Sequence, residues 1–297
     1  MTSSFTLPIM ALITLVVWML PDLTHGLSWL SLGVTFVTAY LIMELNNRNA
    51  LLRVRSRMMS ATFLALMIAC PMLHGWHVGQ LCVVCLLLTY FTLFASYQLA
   101  RPEGYVFHAF LFISLGSMFF PPMLVLVPVS YVSMMFQLRN FTWRSMVAGL
   151  LGVSVPYWVY AAYAIWRNQL DTAFDYLSEW FCPQWLQFQV WNLHQWISVG
   201  VVFFFALLAF VHLFRTAYND KIRTRMLSYV IATFEVVIAA GLIVLPQYFE
   251  EWMRLFIANS SLLIAHYYAL AKGRFFDTWF YLSVWIVVGL AVFNYFF

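Results

Sequence analysis

Charge is what this sequence has least of. Asp, Glu, Lys and Arg together make up 9% of the residues, against 64% that are hydrophobic. Soluble domains carry roughly 25% charged residues. So few charges cannot cover a water-facing surface, which excludes an ordinary soluble globule and makes lipid the solvent for most side chains. In lipid every backbone polar group needs an internal partner, so only helices and closed barrels remain. Barrel strands alternate apolar and polar positions over roughly ten residues. Here the apolar runs are unbroken over about 17–21 residues, enough to span ~30 Å of hydrocarbon at ~1.5 Å per residue. The expected fold is all-α: a polytopic transmembrane helical bundle.

Other absences narrow the reading further. Four cysteines in 297 residues do not make a disulfide framework. Met1 to Leu20 lacks the basic n-region and small-x-small site of a signal peptide, so it is expected to stay as the first helix. No Gly/Ser-rich linker interrupts the chain, so residues 1–297 are expected to form a single transmembrane domain. The formal net charge of +4 comes with no nucleic-acid module. No cofactor motif and no transporter-type internal repeat is visible.

What is present is a series of about eleven candidate spans: 5–21, 28–45, 58–75, 81–99, 105–120, 122–138, 146–165, 196–214, 227–246, 255–271 and 278–296. Pro121-Pro122 marks a tight turn between two of them. Charge placement tests the series. The connections at 46–57, 100–104, 139–145, 215–226 and 272–277 hold thirteen of the fifteen basic residues. Only Arg167 and Arg254 fall on the other side. The positive-inside rule then places the N-terminus in the cytoplasm and the C-terminus outside. The longest connection, 166–195, lies outside. Phe174, Leu177 and Phe181 share one helical face there, and Asp171, Asp175 and Glu179 form a stripe on another. This predicts a short amphipathic interfacial helix.

Several groups of residues are suited to chemistry. His74, His77, Cys82 and Cys85 lie close together at the outer turn between the third and fourth spans. A C-x-x-C pair at a helix start suits thiol exchange, and two histidines beside it suit a metal; the plain alternative is small apolar helix residues with interfacial histidines. Glu235 falls mid-span, where a carboxylate costs at least ~2.5 kcal/mol and must be paired or protonated. His266, Asn259 and His212 are its expected partners, in a proton relay or a helix tie. Asp22 and His25, in the first outer turn, have the place of a general base in multi-pass lipid-linked sugar transferases, or simply form a polar turn. Arg48, Arg53, Arg55 and Arg57 form the densest basic patch, suited to an anionic headgroup or to setting topology alone. The acid stripe, with Gln184, Gln187, Gln189, Asn192 and many aromatics, suits a sugar or lipid headgroup.

Four stretches carry a resemblance: ELNNRNALLRVRSR at Glu44–Arg57, HAFLFISLGSMFFPPM at His108–Met123, FQLRNFTWR at Phe136–Arg144 and GLLGVSVPYW at Gly149–Trp158. They resemble a family of multi-pass inner-membrane proteins of Bacteroides-type bacteria, one with no established activity. The resemblance covers roughly 44–158 and implies an envelope location. The leading functional expectation is handling of lipid or lipid-linked glycan at the outer leaflet, with Asp171, Asp175, Glu179 and Glu235 as catalytic candidates. The alternatives are a proton-coupled transporter using Glu235, a non-catalytic scaffold subunit with envelope protein partners, and a thiol oxidoreductase using Cys82 and Cys85.

Overall fold

The computed structural model describes residues 6–19, 26–54, 56–167, 190–270 and 273–296. It is helical throughout, with no strand among the described residues. Eleven α-helices follow one another: α1 (Thr6–Met19), α2 (Gly26–Asn49), α3 (Met58–Ala69), α4 (Gly79–Ala95), α5 (Glu103–Phe119), α6 (Leu126–Ser133), α7 (Trp143–Trp166), α8 (Leu193–Thr216), α9 (Ile222–Val244), α10 (Phe249–Leu270) and α11 (Arg274–Phe296). Each falls on one of the expected apolar runs. Among the described residues six stretches are long and apolar enough to cross a membrane: Ser28–Asn49, Pro121–Leu138, Trp143–Trp166, Leu193–Asn219, Ile222–Val244 and Phe276–Phe296.

Local chemistry sets the boundaries. Pro71 restricts the residue before it, and α3 ends at Ala69 after 12 residues, with Cys70 at φ −118° and ψ 72°. That is ~18 Å of helix, well short of the run through residue 75 expected from hydropathy. Pro121-Pro122 opens a 3-10 turn that leads into α6, and a π-helical turn at Met134–Leu138 ends on Arg139 in the left-handed region (φ 51°). A reciprocal pair, Thr142 and Ser145, caps the start of α7.

The arrangement is inside-out by soluble standards. The apolar helices α7 and α11 lie at the periphery, exposing Trp143, Leu150, Trp158 and Trp166 on one and Tyr281, Trp285 and Phe296 on the other. A helix with polar and charged residues along its length, α10, is the centre. It packs against α3, α4, α8 and α9, and every residue from Trp252 to Tyr268 is buried. Two glycines let helices approach closely, as small residues do in membrane bundles. Gly241 of α9 lies under the indole of Trp252, and Gly152 of α7 lies against the Phe107 carbonyl of α5.

Loops knit at each end. At one end, 50–53 meets 220–224 and Asn140 donates to the Ser96 carbonyl at 2.9 Å. At the other, the α3–α4 turn meets α10 and α11. The first is called the basic end below.

Adding a methyl at Gly152 forces it onto backbone. Gly152→Ala should lower stability by about 1–3 kcal/mol, as overpacking does. Gly200→Ala in α8, where nothing lies within 4 Å, should be neutral or gain about 0.5–1 kcal/mol. Thermal unfolding of both variants in one detergent checks the contrast.

Candidate functional site

Polar groups gather at three levels of the bundle. At mid-bundle Glu235 of α9 faces α10. Its Oε2 accepts from Asn259 Nδ2 at 2.6 Å and its Oε1 accepts from the Ser260 hydroxyl. Asn259 Nδ2 also donates to the Ile231 carbonyl at 3.0 Å, and Asn259 Oδ1 accepts from Tyr90 OH of α4 at 2.5 Å. Tyr90, Asn259 and Ser260 are at most 1% exposed and Glu235 is 4% exposed. Of the three expected partners, only Asn259 touches the carboxylate. Tyr90 and Ser260 complete the network, and neither carries a charge that would have drawn attention to it. With both oxygens used, Glu235 ties α9 to α10 and, through Asn259, to α4.

At the basic end, the α2–α3 loop closes on itself first. Asn46 Nδ2 donates to the Ser56 carbonyl at 3.3 Å, and Asn46 Oδ1 accepts from Leu52 N at 3.1 Å. The arginines then find separate acceptors. Arg48 pairs with Glu44 at 2.7 Å and lies over the Phe91 ring. Arg53 donates to Asp220, which also faces His266 Nε2 at 3.3 Å. Arg223 reaches Asn49, and the Thr224 hydroxyl donates to the Ala50 carbonyl at 3.3 Å. Burial alone would raise the Asp220 carboxyl. The hydrogen bonds from His266 and Arg53, with their charges, more than reverse this and hold it below the ordinary carboxylate value. The charges of Arg48 and Arg53 are thus spent on Glu44 and Asp220, and Arg57 is also engaged. Arg55 lies outside the described residues.

At the opposite end, His74, His77, Cys82 and Cys85 go separate ways. The His74 ring stacks on Trp18 at 3.7 Å, with Nε2 3.0 Å from the Met67 carbonyl and Nδ1 3.2 Å from Tyr295 OH. It clamps α1 and α11 onto α3. His77 Nδ1 accepts from Gly79 N at 3.1 Å, and its Nε2 lies 3.7 Å from Glu251. Cys82 is buried and donates to the Gly116 carbonyl at 3.6 Å; Cys85 is half-buried, and both are free thiols. Among the described residues no group of three His, Cys, Asp or Glu is placed to hold a metal. Asp171, Asp175, Glu179, Asp22 and His25 lie outside the described residues.

The same end holds a residue that figured in the charge pattern only as an exception. Arg254 is 1% exposed. Its Nη1 donates to Glu250 Oε2 at 2.9 Å and to the Glu250 carbonyl at 3.2 Å, and its Nη2 donates to the carbonyls of Leu73 at 3.0 Å and Gly75 at 3.2 Å. Its Nε has no partner. Nearby Gln80 donates through Nε2 to Ser31 Oγ, while its Oε1 is buried without a partner. Arg254 and Gln80 line one cavity between α2, α3, α4 and α10, with apolar walls from Val34, Phe63, Met67 and Val83. Comparison with known protein families, with curated proteins and with solved structures finds no match to this chain.

Two outcomes follow from the first two centres. Glu235→Gln should cost under about 1 kcal/mol, because the Ser260 hydroxyl can accept from the new amide. Glu235→Leu should cost about 3 kcal/mol by stranding Asn259 and Ser260. Chemical unfolding in detergent separates the two. The depressed Asp220 contributes stability that is present above the unfolded carboxylate value of ~3.9 and is lost as pH falls through its lower folded value. Asp220→Asn should therefore cost about 2 kcal/mol at neutral pH, and the gap to the parent protein should close in acid.

Proposed function

We propose that the chain crosses the inner membrane about eleven times, and that it handles lipid or a lipid-linked glycan at the outer leaflet. The basic end would face the cytoplasm, as the arginine distribution requires. Arg254, Gln80 and the 166–195 connection then share the outer end, where Asp171, Asp175 and Glu179 would supply the acids.

The observation that carries this reading is Arg254. A guanidinium taken out of water incurs several kcal/mol of desolvation, and apolar side chains commonly replace buried ion pairs without loss. An ionisable residue held inside a membrane bundle is a functional site by default. This one sits on the side that has almost no other basic residue, beside an apolar-walled cavity, and has a hydrogen-bond donor left over. Polar convergence within apolar walls suits a headgroup joined to chains.

Solute transport draws less support, since Glu235 is sealed among Tyr90, Asn259 and Ser260. Thiol chemistry also draws less, since Cys82 is turned onto a backbone carbonyl. A second reading, a non-catalytic scaffold subunit of an envelope complex, draws on the broad apolar faces of α7 and α11.

Lipid retained through purification, measured by native mass spectrometry, tests the proposal. Arg254→Gln should lower retained phospholipid or glycolipid about tenfold, the equivalent of ~1.4 kcal/mol, and Arg254→Lys should restore part of it. Unchanged retention in an Arg254→Gln protein of normal thermal stability would sink it.

A further inference from the structure

Two residues that line the cavity each keep one unspent polar atom, and together these define a ligand chemistry. Arg254 Nε–H is a donor and Gln80 Oε1 is an acceptor, and each belongs to a side chain more than nine-tenths buried. The Gln80 amide is held by its bond to Ser31 Oγ, which leaves the carbonyl oxygen as its free group. Thr35 and Thr38 also line the space, but their hydroxyls donate to the carbonyls of Ser31 and Val34 within α2. The apolar walls offer no hydrogen bond. Recognition therefore rests on one donor and one acceptor.

We propose that this cavity is a hydroxyl site: it holds one water in the free protein, and a hydroxyl group of a polyol headgroup, glycerol or sugar, takes that water's place. The assignment rests on the lipid-handling reading above. An O–H group accepts from Arg254 Nε and donates to Gln80 Oε1 at once. A carboxylate or phosphodiester oxygen only accepts, so it would meet Gln80 Oε1 with like partial charge. An ammonium only donates, and would face the Arg254 cation. Size agrees, because the cavity offers about 10 Å³ to the centre of a water-sized sphere, room for a single water or hydroxyl oxygen. The rest of a headgroup must stay outside. A ligand that displaces an ordered water without reproducing its hydrogen bonds loses affinity, so the site selects for the hydroxyl itself.

The test uses the full chain, purified and delipidated in detergent, and two probe lipids of identical charge. Phosphatidylglycerol carries headgroup hydroxyls; phosphatidylmethanol carries the same phosphodiester and none. The expected result is about tenfold tighter binding of phosphatidylglycerol. Gln80→Met should abolish that preference, so that the two lipids bind alike. Equal binding of the two lipids by the parent protein would overturn the hydroxyl site and leave lipid handling standing. A preference that survives Gln80→Met would overturn its placement in this cavity. Binding of neither lipid would overturn both proposals. Tight binding of free glycerol without lipid would keep the hydroxyl chemistry and overturn its lipid source. A second measurement is independent of any variant's folding: in a high-resolution structure of the parent protein, density within hydrogen-bond distance of both Arg254 Nε and Gln80 Oε1 supports the site, and its absence overturns it.

Discussion

A polar helix surrounded by apolar ones obeys a single rule: each of its donors and acceptors must find a partner within the protein, because the hydrocarbon outside has none to offer. That rule organises this molecule around α10. Arg254 reaches the α3–α4 turn, Asn259 and Ser260 reach α9, Asn259 also reaches α4, and His266 reaches the α8–α9 connection. The neighbouring helices are positioned by these bonds as much as by packing. In a membrane, apolar burial alone barely distinguishes a neighbouring helix from a lipid tail. Directional bonds from a common axis therefore supply the specificity that apolar matching cannot.

Much of the fold was legible because helix length and hydropathy are properties of contiguous residues. All eleven helices among the described residues fall on expected runs, and Pro121-Pro122 turns where it was expected to turn. What stayed hidden depends on distant parts of the chain. Arg53 reads as one of a row of free cations, yet its partner Asp220 is 167 residues away. The central position of α10 was equally hidden, because hydropathy reports composition and not location. A polar helix at the centre and a polar helix at an interface look alike from their residues.

Candidate sites fared differently for the same reason. His74, His77, Cys82 and Cys85 are near in sequence, but a 3-10 turn and the start of α4 aim His74 at Met67, His77 at Glu251 and Cys82 at Gly116. Closeness along the chain carried no information about convergence. Glu235 stood out as a charge at membrane depth, while Tyr90 and Ser260, which complete its network, are ordinary residues for a helix. Arg254 did leave a trace. It broke the charge asymmetry of the loops, and its burial then sets it apart from residues that only set orientation.

The order of synthesis gives the position of α10 another meaning. It follows α1 to α9 in the chain. Until it arrives, Glu235 and Tyr90 have been made without the asparagine and serine that satisfy them, and the α3–α4 turn lacks its arginine. An arginine-bearing segment is also a poor inserter, costing ~2.5–3.5 kcal/mol at the centre of a helix and less toward its end. The bonds that join α4, α9 and the α3–α4 turn through one axis therefore close only once α10 is present.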